Sequence, residues 1–175
     1  MELLKDIDDL TKLDKKHELL SRVNGYLPNI EKMHKVISQE KLNAEVPNDI
    51  QGQFNVARNM ALYTYYLYAL APEVQLKTYT IIEHALRVKA NSKKRLMLRN
   101  LLELAIKNEW IKDKGFRHLK STDDSMEWCN SLIKVIPSLR NSQAHGSTLL
   151  EPSCFHHIFV CADFLNQLFP NHKCT

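Results

Sequence analysis

Residues 49–90 read DIQGQFNVARNMALYTYYLYALAPEVQLKTYTIIEHALRVKA, and their apolar positions recur at helical rather than strand spacing. Asp49 is a suitable cap for a helix running to about Ala71. That helix would carry Phe54, Val56, Ala57, Met60, Ala61, Tyr63, Tyr66, Leu67 and Leu70. It is apolar almost all round, which predicts a central place in the core. Pro72 and Glu73 open a second helix, because proline has helical φ and a carboxylate suits a helix N-terminus. Its buried face is Leu76, Tyr79, Ile82 and Leu86, with Thr80, Glu83 and Arg87 beside it.

The same period extends outward in both directions. Upstream, Leu3, Ile7, Leu10, Leu13 and Leu20 form a narrow stripe on a charged first helix, which Gly25 can stop. Pro28 permits a second helix with Ile30, Met33, Val36 and Ile37 on one face, and 41–48 reads as a loop. Downstream, Ser92 can cap a helix bearing Leu96, Leu98, Leu101, Leu102, Leu104, Ala105 and Ile106. Residues 112–121, around Gly115, read as a loop, and Thr122, Asp123 and Asp124 begin a helix to about Leu139. Pro152 opens the last helix, through Phe155, Ile158, Phe159, Ala162, Leu165 and Leu168. The expectation is an all-α helical bundle forming one domain over 46–175, to which the N-terminal helices of 1–45 can be an appendage.

Composition narrows the function. The 175 residues are 44% hydrophobic, enough for one well-buried core, and only 4 Gly and 6 Pro argue against a turn-dense sheet fold. A net charge of +4 is compatible with an anionic partner without requiring one. The start MELLKDIDDL interrupts its apolar positions with acids, unlike a signal peptide, and no apolar run is long enough to span a bilayer. Cys129, Cys154, Cys161 and Cys174 form no C-x-x-C pair, so no zinc site is expected and they read as reduced thiols in a cytoplasm.

One stretch carries more than packing: Arg140-Asn141-Ser142-Gln143-Ala144-His145-Gly146. It puts a guanidinium, an amide and an imidazole within six residues of a helix-ending glycine. RNA self-cleavage needs a base for the 2′-hydroxyl, an acid for the 5′-oxygen and positive charge on the phosphorane. An imidazole can be base or acid near neutrality. A guanidinium holds phosphate oxygens bidentately, and Asn141 can donate to a phosphoryl oxygen or fix a tautomer.

This string resembles the R-x4–6-H signature of the HEPN superfamily, with the usual polar residue directly after the arginine. It is the only match to that spacing in the chain. The resemblance extends to the layout: a long helix pair upstream (54–90) and a closing helix downstream (151–169). It implies an all-α, HEPN-like bundle and a metal-independent endoribonuclease with no cofactor, acting as a toxin or defence effector. Arg140, Asn141 and His145 would be its catalytic residues. Glu83 matches the acidic residue that such domains often hold in an upstream helix, with Arg87 one turn on. Ser147 stands where HEPN toxins neutralised by a minimal nucleotidyltransferase carry a modified tyrosine, so the resemblance does not extend to that regulation.

Spacing adds a constraint. On an ideal helix, Arg140 and His145 point about 140° apart. They converge only if the helix ends or distorts between them; Gly146 can stop it and Pro137 can kink it. One imidazole cannot be base and acid in a single turnover. A two-fold homodimer with a composite site supplies the second, and the resemblance implies the same, along with an antitoxin or defence-complex partner. RNA backbone contacts are expected from the basic stretch Lys93 to Lys120, above all from Arg117, His118 and Lys120.

Other features have simpler readings. His156 and His157 point about 100° apart on a helix, so one partly buried and one exposed side chain is expected rather than a metal site. Tyr63, Tyr65, Tyr66 and Tyr68 can stack on bases, but helix packing is the better default. Two rivals to catalysis stand: a HEPN-like module that binds a nucleotide, RNA or a protein without cutting, and a helical adaptor with no nucleic-acid role.

Overall fold

Ten residues of one helix, Ala71–Ala90, are buried: Ala71, Pro72, Val74, Gln75, Thr78, Tyr79, Ile81, Ile82, Ala85 and Leu86. This helix, α4, is the hub of the molecule. The computed structural model describes residues 3–119, 124–145 and 153–171. Before α4 come α1 (Lys15–Asn24), α2 (Ile30–Ser38) and α3 (Asn48–Tyr63). After it come α5 (Leu98–Lys107), α6 (Glu127–Ala144) and α7 (Phe155–Leu168). No strand occurs among the described residues, so the all-α expectation holds and the molecule is one helical domain. α4 packs most extensively on α7 and α3, then on α5 and α6. Phe54, Phe116, Phe164, Ile81 and Leu102 are among the fully buried large side chains of the core. Each such side chain stabilises the fold by about 1.5–3 kcal/mol relative to exposure.

Several expected boundaries shift, each for a local reason. Leu3, Ile7 and Leu10 do not form a helical stripe: they are exposed around a single 3-10 turn, Ile7–Asp9. The first α-helix starts at Lys15, where the Asp14 carboxylate accepts from the Lys16 N–H at 2.9 Å. Gly25 stops it as expected, in the left-handed conformation at φ 76°. The helix from Asn48 ends at Tyr63, well short of Ala71. Its buried residues, Ile50, Phe54, Ala57 and Ala61, form one stripe, while Val56 and Tyr63 are exposed. The central helix is therefore α4, not α3.

The break at residues 64–68 is made by distant groups. Lys5 Nζ donates to the Tyr66 carbonyl at 2.6 Å, and the His17 ring bonds the Thr64 carbonyl at 2.9 Å. Asp14 accepts from the Tyr68 N–H at 3.0 Å. The tyrosine cluster thus lies on a turn, with Tyr68 buried and Tyr63 exposed, its rings packed on one another and on His17.

The other end of the molecule is tied by polar groups, one of them, Asp113, buried. Asn43 donates from its N–H to Asn166 Oδ1 at 2.7 Å, and from its amide to the Asn166 and Phe169 carbonyls, satisfying the C-terminal end of α7. Asp113 is nearly inaccessible, yet its carboxylate accepts from the Cys129 and Trp128 N–H groups and the Ser125 hydroxyl, at 2.9, 3.1 and 3.2 Å. It caps α6 from fourteen positions upstream of Glu127. Burial opposes ionisation of Asp113, but these donors outweigh it and hold the carboxyl below its ordinary value.

Candidate active site

α6 does not end near Leu139. It passes through Pro137 and continues to Ala144, so Arg140 and Asn141 sit on the helix and not in a loop after it. Ser125 and Asp113 organise its start at Glu127, five residues after the expected start at Thr122. Thr122 and Asp123 lie outside the described residues, as do Lys120, Gly146, Ser147, Pro152 and Cys174. His145 is the C-terminal cap residue, and its N–H still donates to the Asn141 carbonyl at 3.0 Å. The helix thus ends at Ala144, between Arg140 and His145, and His145 sits just past it at φ -93° and ψ 16°. On an ideal helix, positions five apart point about 140° apart.

Arg140 is directed at α4. Its Nη2 lies 3.6 Å from Glu83 Oε2, and the guanidinium remains 40% exposed. The same Glu83 accepts from Arg87 Nη2 at 2.5 Å through its other oxygen. Arg87 Nη1 donates to the Leu96 carbonyl at 2.8 Å. One half-buried carboxylate thus holds two guanidiniums from two helices. Ion pairs whose guanidiniums remain open to solvent contribute little stability, about 0–1 kcal/mol, so their effect is to orient. Next to Arg140, the Asn141 side chain accepts from Nη1 at 3.5 Å, a marginal contact. The turn is fixed to α4 by Gln143, whose amide donates to the buried Gln75 at 2.6 Å. His145 is exposed, and its ring has no hydrogen-bond partner among the described residues.

Arg117 and His118 lie elsewhere, beside α7. Arg117 donates from its backbone N–H and Nε to Asp163, at 3.0 and 2.7 Å, and from Nη2 to Glu40 at 2.5 Å. Both carboxylates are nearly buried. The Glu40 and Asp163 hydrogen bonds raise the guanidinium further above its ordinary value, against a smaller opposing effect of burial. This network clamps the end of α2, the 113–119 turn and α7 together. His118 packs edge-on against Trp128 at 4.9 Å and against His156 at 5.1 Å. Burial lowers its pKa, and Asp163 opposes that shift. His156 is exposed and His157 half-buried, as their spacing predicts.

The described cations of the basic stretch divide into two sets. Arg99 pairs with Glu103, Lys112 with Glu109, Lys114 with Asp124, and Arg117 with two acids. Lys93, Lys94, Arg95 and, on α5, Lys107 have no carboxylate partner among the described residues. Lys93, Lys94 and Arg95 line a cleft of about 260 Å³ with Arg87 and Ser92.

A further cavity of about 300 Å³ is lined by Glu40, Arg117, His118, His156 and Asp163. A larger, mostly apolar cavity of about 380 Å³ lies between α1–α2 and the α4–α7 core, lined by His17, Met33, Tyr68 and Cys154 among others. Cys129, Cys154 and Cys161 are buried and form no disulfide among the described residues, and burial pushes the Cys129 and Cys161 thiols up, which makes them poor nucleophiles. Among the described residues, no cluster of three or more His, Cys, Asp or Glu could hold a metal ion, and no helix is long and apolar enough to cross a membrane. Comparison of the chain with family models, curated proteins and solved structures gave no match in any of the three.

Proposed function

We propose that this chain is a HEPN-type, metal-independent endoribonuclease that cleaves RNA to a 2′,3′-cyclic phosphate and a free 5′-hydroxyl. The observation that carries the reading is the approach of Arg140 on α6 to Glu83 on α4, 3.6 Å across the helix pair. Those are the two positions that the R-N-x-x-A-H-G string and its upstream acid pick out. Glu83 aims the guanidinium without neutralising it fully, because Arg87 shares the same carboxylate.

In the reaction, one His145 imidazole removes the proton from the 2′-hydroxyl, whose oxygen attacks the adjacent phosphorus. Arg140, with Asn141, carries the charge that grows on the non-bridging oxygens. The bond to the 5′-oxygen breaks as a second imidazole donates its proton there. Because one imidazole cannot be base and acid in a single turnover, this is a two-copy site, the second imidazole being His145 of another copy across a two-fold axis. Such a protein acts as a toxin or defence effector, held in check by an antitoxin or a larger complex.

The test is incubation of the protein with single-stranded RNA in EDTA. Strand scission with cyclic phosphate ends, abolished by Arg140→Ala and by His145→Ala, is the expected result. Scission unchanged in both variants overturns the assignment. RNA held tightly but never cut, by a protein that stays monomeric, favours the non-catalytic binding module instead.

A further inference from the structure

We propose that the corner between α4 and α5 is a phosphate-binding site, formed by Lys93, Lys94 and Arg95 with Arg87 and Ser92. It extends the nuclease reading by naming where a phosphate away from the reacting one is held, and it rests on that reading for the RNA strand alone.

Asn91 closes α4 in the left-handed conformation, at φ 41°. The chain then runs without helix until Leu98. Arg87 holds that run in place by donating to the Leu96 carbonyl, and the Lys94 N–H donates to the Ser92 hydroxyl at 3.2 Å. Three consecutive cations are thereby kept at the rim of a cleft rather than along an extended tail. The cleft is lined by no carboxylate. Elsewhere in the basic stretch the fold supplies acids to Arg99, Lys112, Lys114 and Arg117. Concentrated, uncompensated positive charge in a concavity attracts an anion and loses it as salt rises.

The location joins this site to the reaction centre. Arg87 is shared between the cleft wall and Glu83, and Glu83 reaches Arg140. A single carboxylate separates the two cationic regions. A strand laid along α4 would meet the Lys93–Arg95 rim with one phosphate and Arg140 with another.

The ligand chemistry is a phosphate group, either an internucleotide phosphate or the free polyphosphate of a nucleotide. The experiment measures fluorescence anisotropy of a labelled, fully 2′-O-methylated single strand, which cannot be cut, against the full chain over a range of salt. The expected result is salt-dependent binding that Lys93→Gln/Lys94→Gln/Arg95→Gln weakens by about 10–100-fold, with a salt slope shallower by about 2–3. Lys112→Gln and Lys114→Gln, which remove compensated cations, should change affinity by less than about twofold. Equal losses from both sets, or no loss from the triple variant, overturn the proposal. So does absence of binding by both the strand and tripolyphosphate. Competition by tripolyphosphate at micromolar levels assigns the site to a free polyphosphate, and binding of the strand alone assigns it to nucleic acid. Cleavage of unmodified RNA, measured in parallel, reports separately on Arg140 and His145. Circular dichroism checks that the triple variant, altered only in an exposed loop, remains folded.

Discussion

Arg117 and Arg140 lie on opposite sides of the molecule's electrostatic accounting. Arg117 donates to two carboxylates that are themselves nearly buried, and it joins three segments of the chain. Arg140 approaches one carboxylate at 3.6 Å, shares it with Arg87, and keeps 40% of its side chain exposed. The first guanidinium has its geometry and charge satisfied by the fold. The second is oriented but retains capacity for an anionic ligand. The sequence assigns both of them to RNA, Arg140 as catalytic and Arg117 as a backbone contact, each with a histidine close by. The partners that separate them come from other helices.

The sharpest way to break this contrast is to truncate both arginines. Arg140→Ala should lower RNA cleavage by about 10²–10⁴-fold while leaving the denaturation midpoint within about 0.5 kcal/mol of the wild type. Arg117→Ala should do the reverse. It leaves Glu40 and Asp163 buried without their cation, which costs about 2–3 kcal/mol in urea unfolding, a figure reduced from the fully buried case because the guanidinium is itself partly exposed. If the two variants exchange these outcomes, the comparison fails.

Asp113→Ala removes the acceptor for two N–H groups of α6 and should cost about 1–2 kcal/mol. The wild-type contribution has a defined pH window. Asp113 has a folded pKa below its ordinary 3.8, so its stabilisation is present above that value and disappears as pH falls through the folded pKa. The variant should show a correspondingly weaker acid dependence below about pH 4. Gly115→Ala should cost about 1 kcal/mol. An added Cβ would lie 2.1 Å from the Gln167 side chain, whose oxygen accepts from the Lys112 N–H at 2.8 Å. Gln167 can move, but only by giving up that bond.

The smallest expected effect concerns His118. Its folded pKa is depressed by burial, so below about pH 6.5 the unfolded chain takes up the proton more readily and stability declines as pH falls. His118→Gln should flatten that slope in thermal melts between pH 7 and 5. A slope unchanged by the substitution would mean that Trp128 and His156 do not shield the ring.

Helix type was readable from periodicity because it depends on neighbours three and four positions apart. Gly25 and Pro72 were readable because backbone restrictions are local. The end of α3 was not. Residues 63–70 remain apolar and lack a breaker, and their turn is imposed by Lys5, Asp14 and His17. Ser92 has a cap's chemistry, yet α5 starts at Leu98, because Asn91 reverses the chain and Arg87 holds Leu96. The Glu83–Arg140 approach was reachable only through the family resemblance that paired those two positions. Arg117's acids, 77 and 46 residues away, left no local signal at all.

The cap on α6 has a kinetic consequence. A helix whose first turn is satisfied by a side chain from the 113–115 turn cannot nucleate well from its own residues. Pro137 in its interior removes another backbone donor. An excised peptide of residues 127–144 should therefore be mostly coil in water, by far-ultraviolet circular dichroism. In the intact chain, the segment bearing Arg140 would acquire its shape late, after the 113–115 turn has docked on α7.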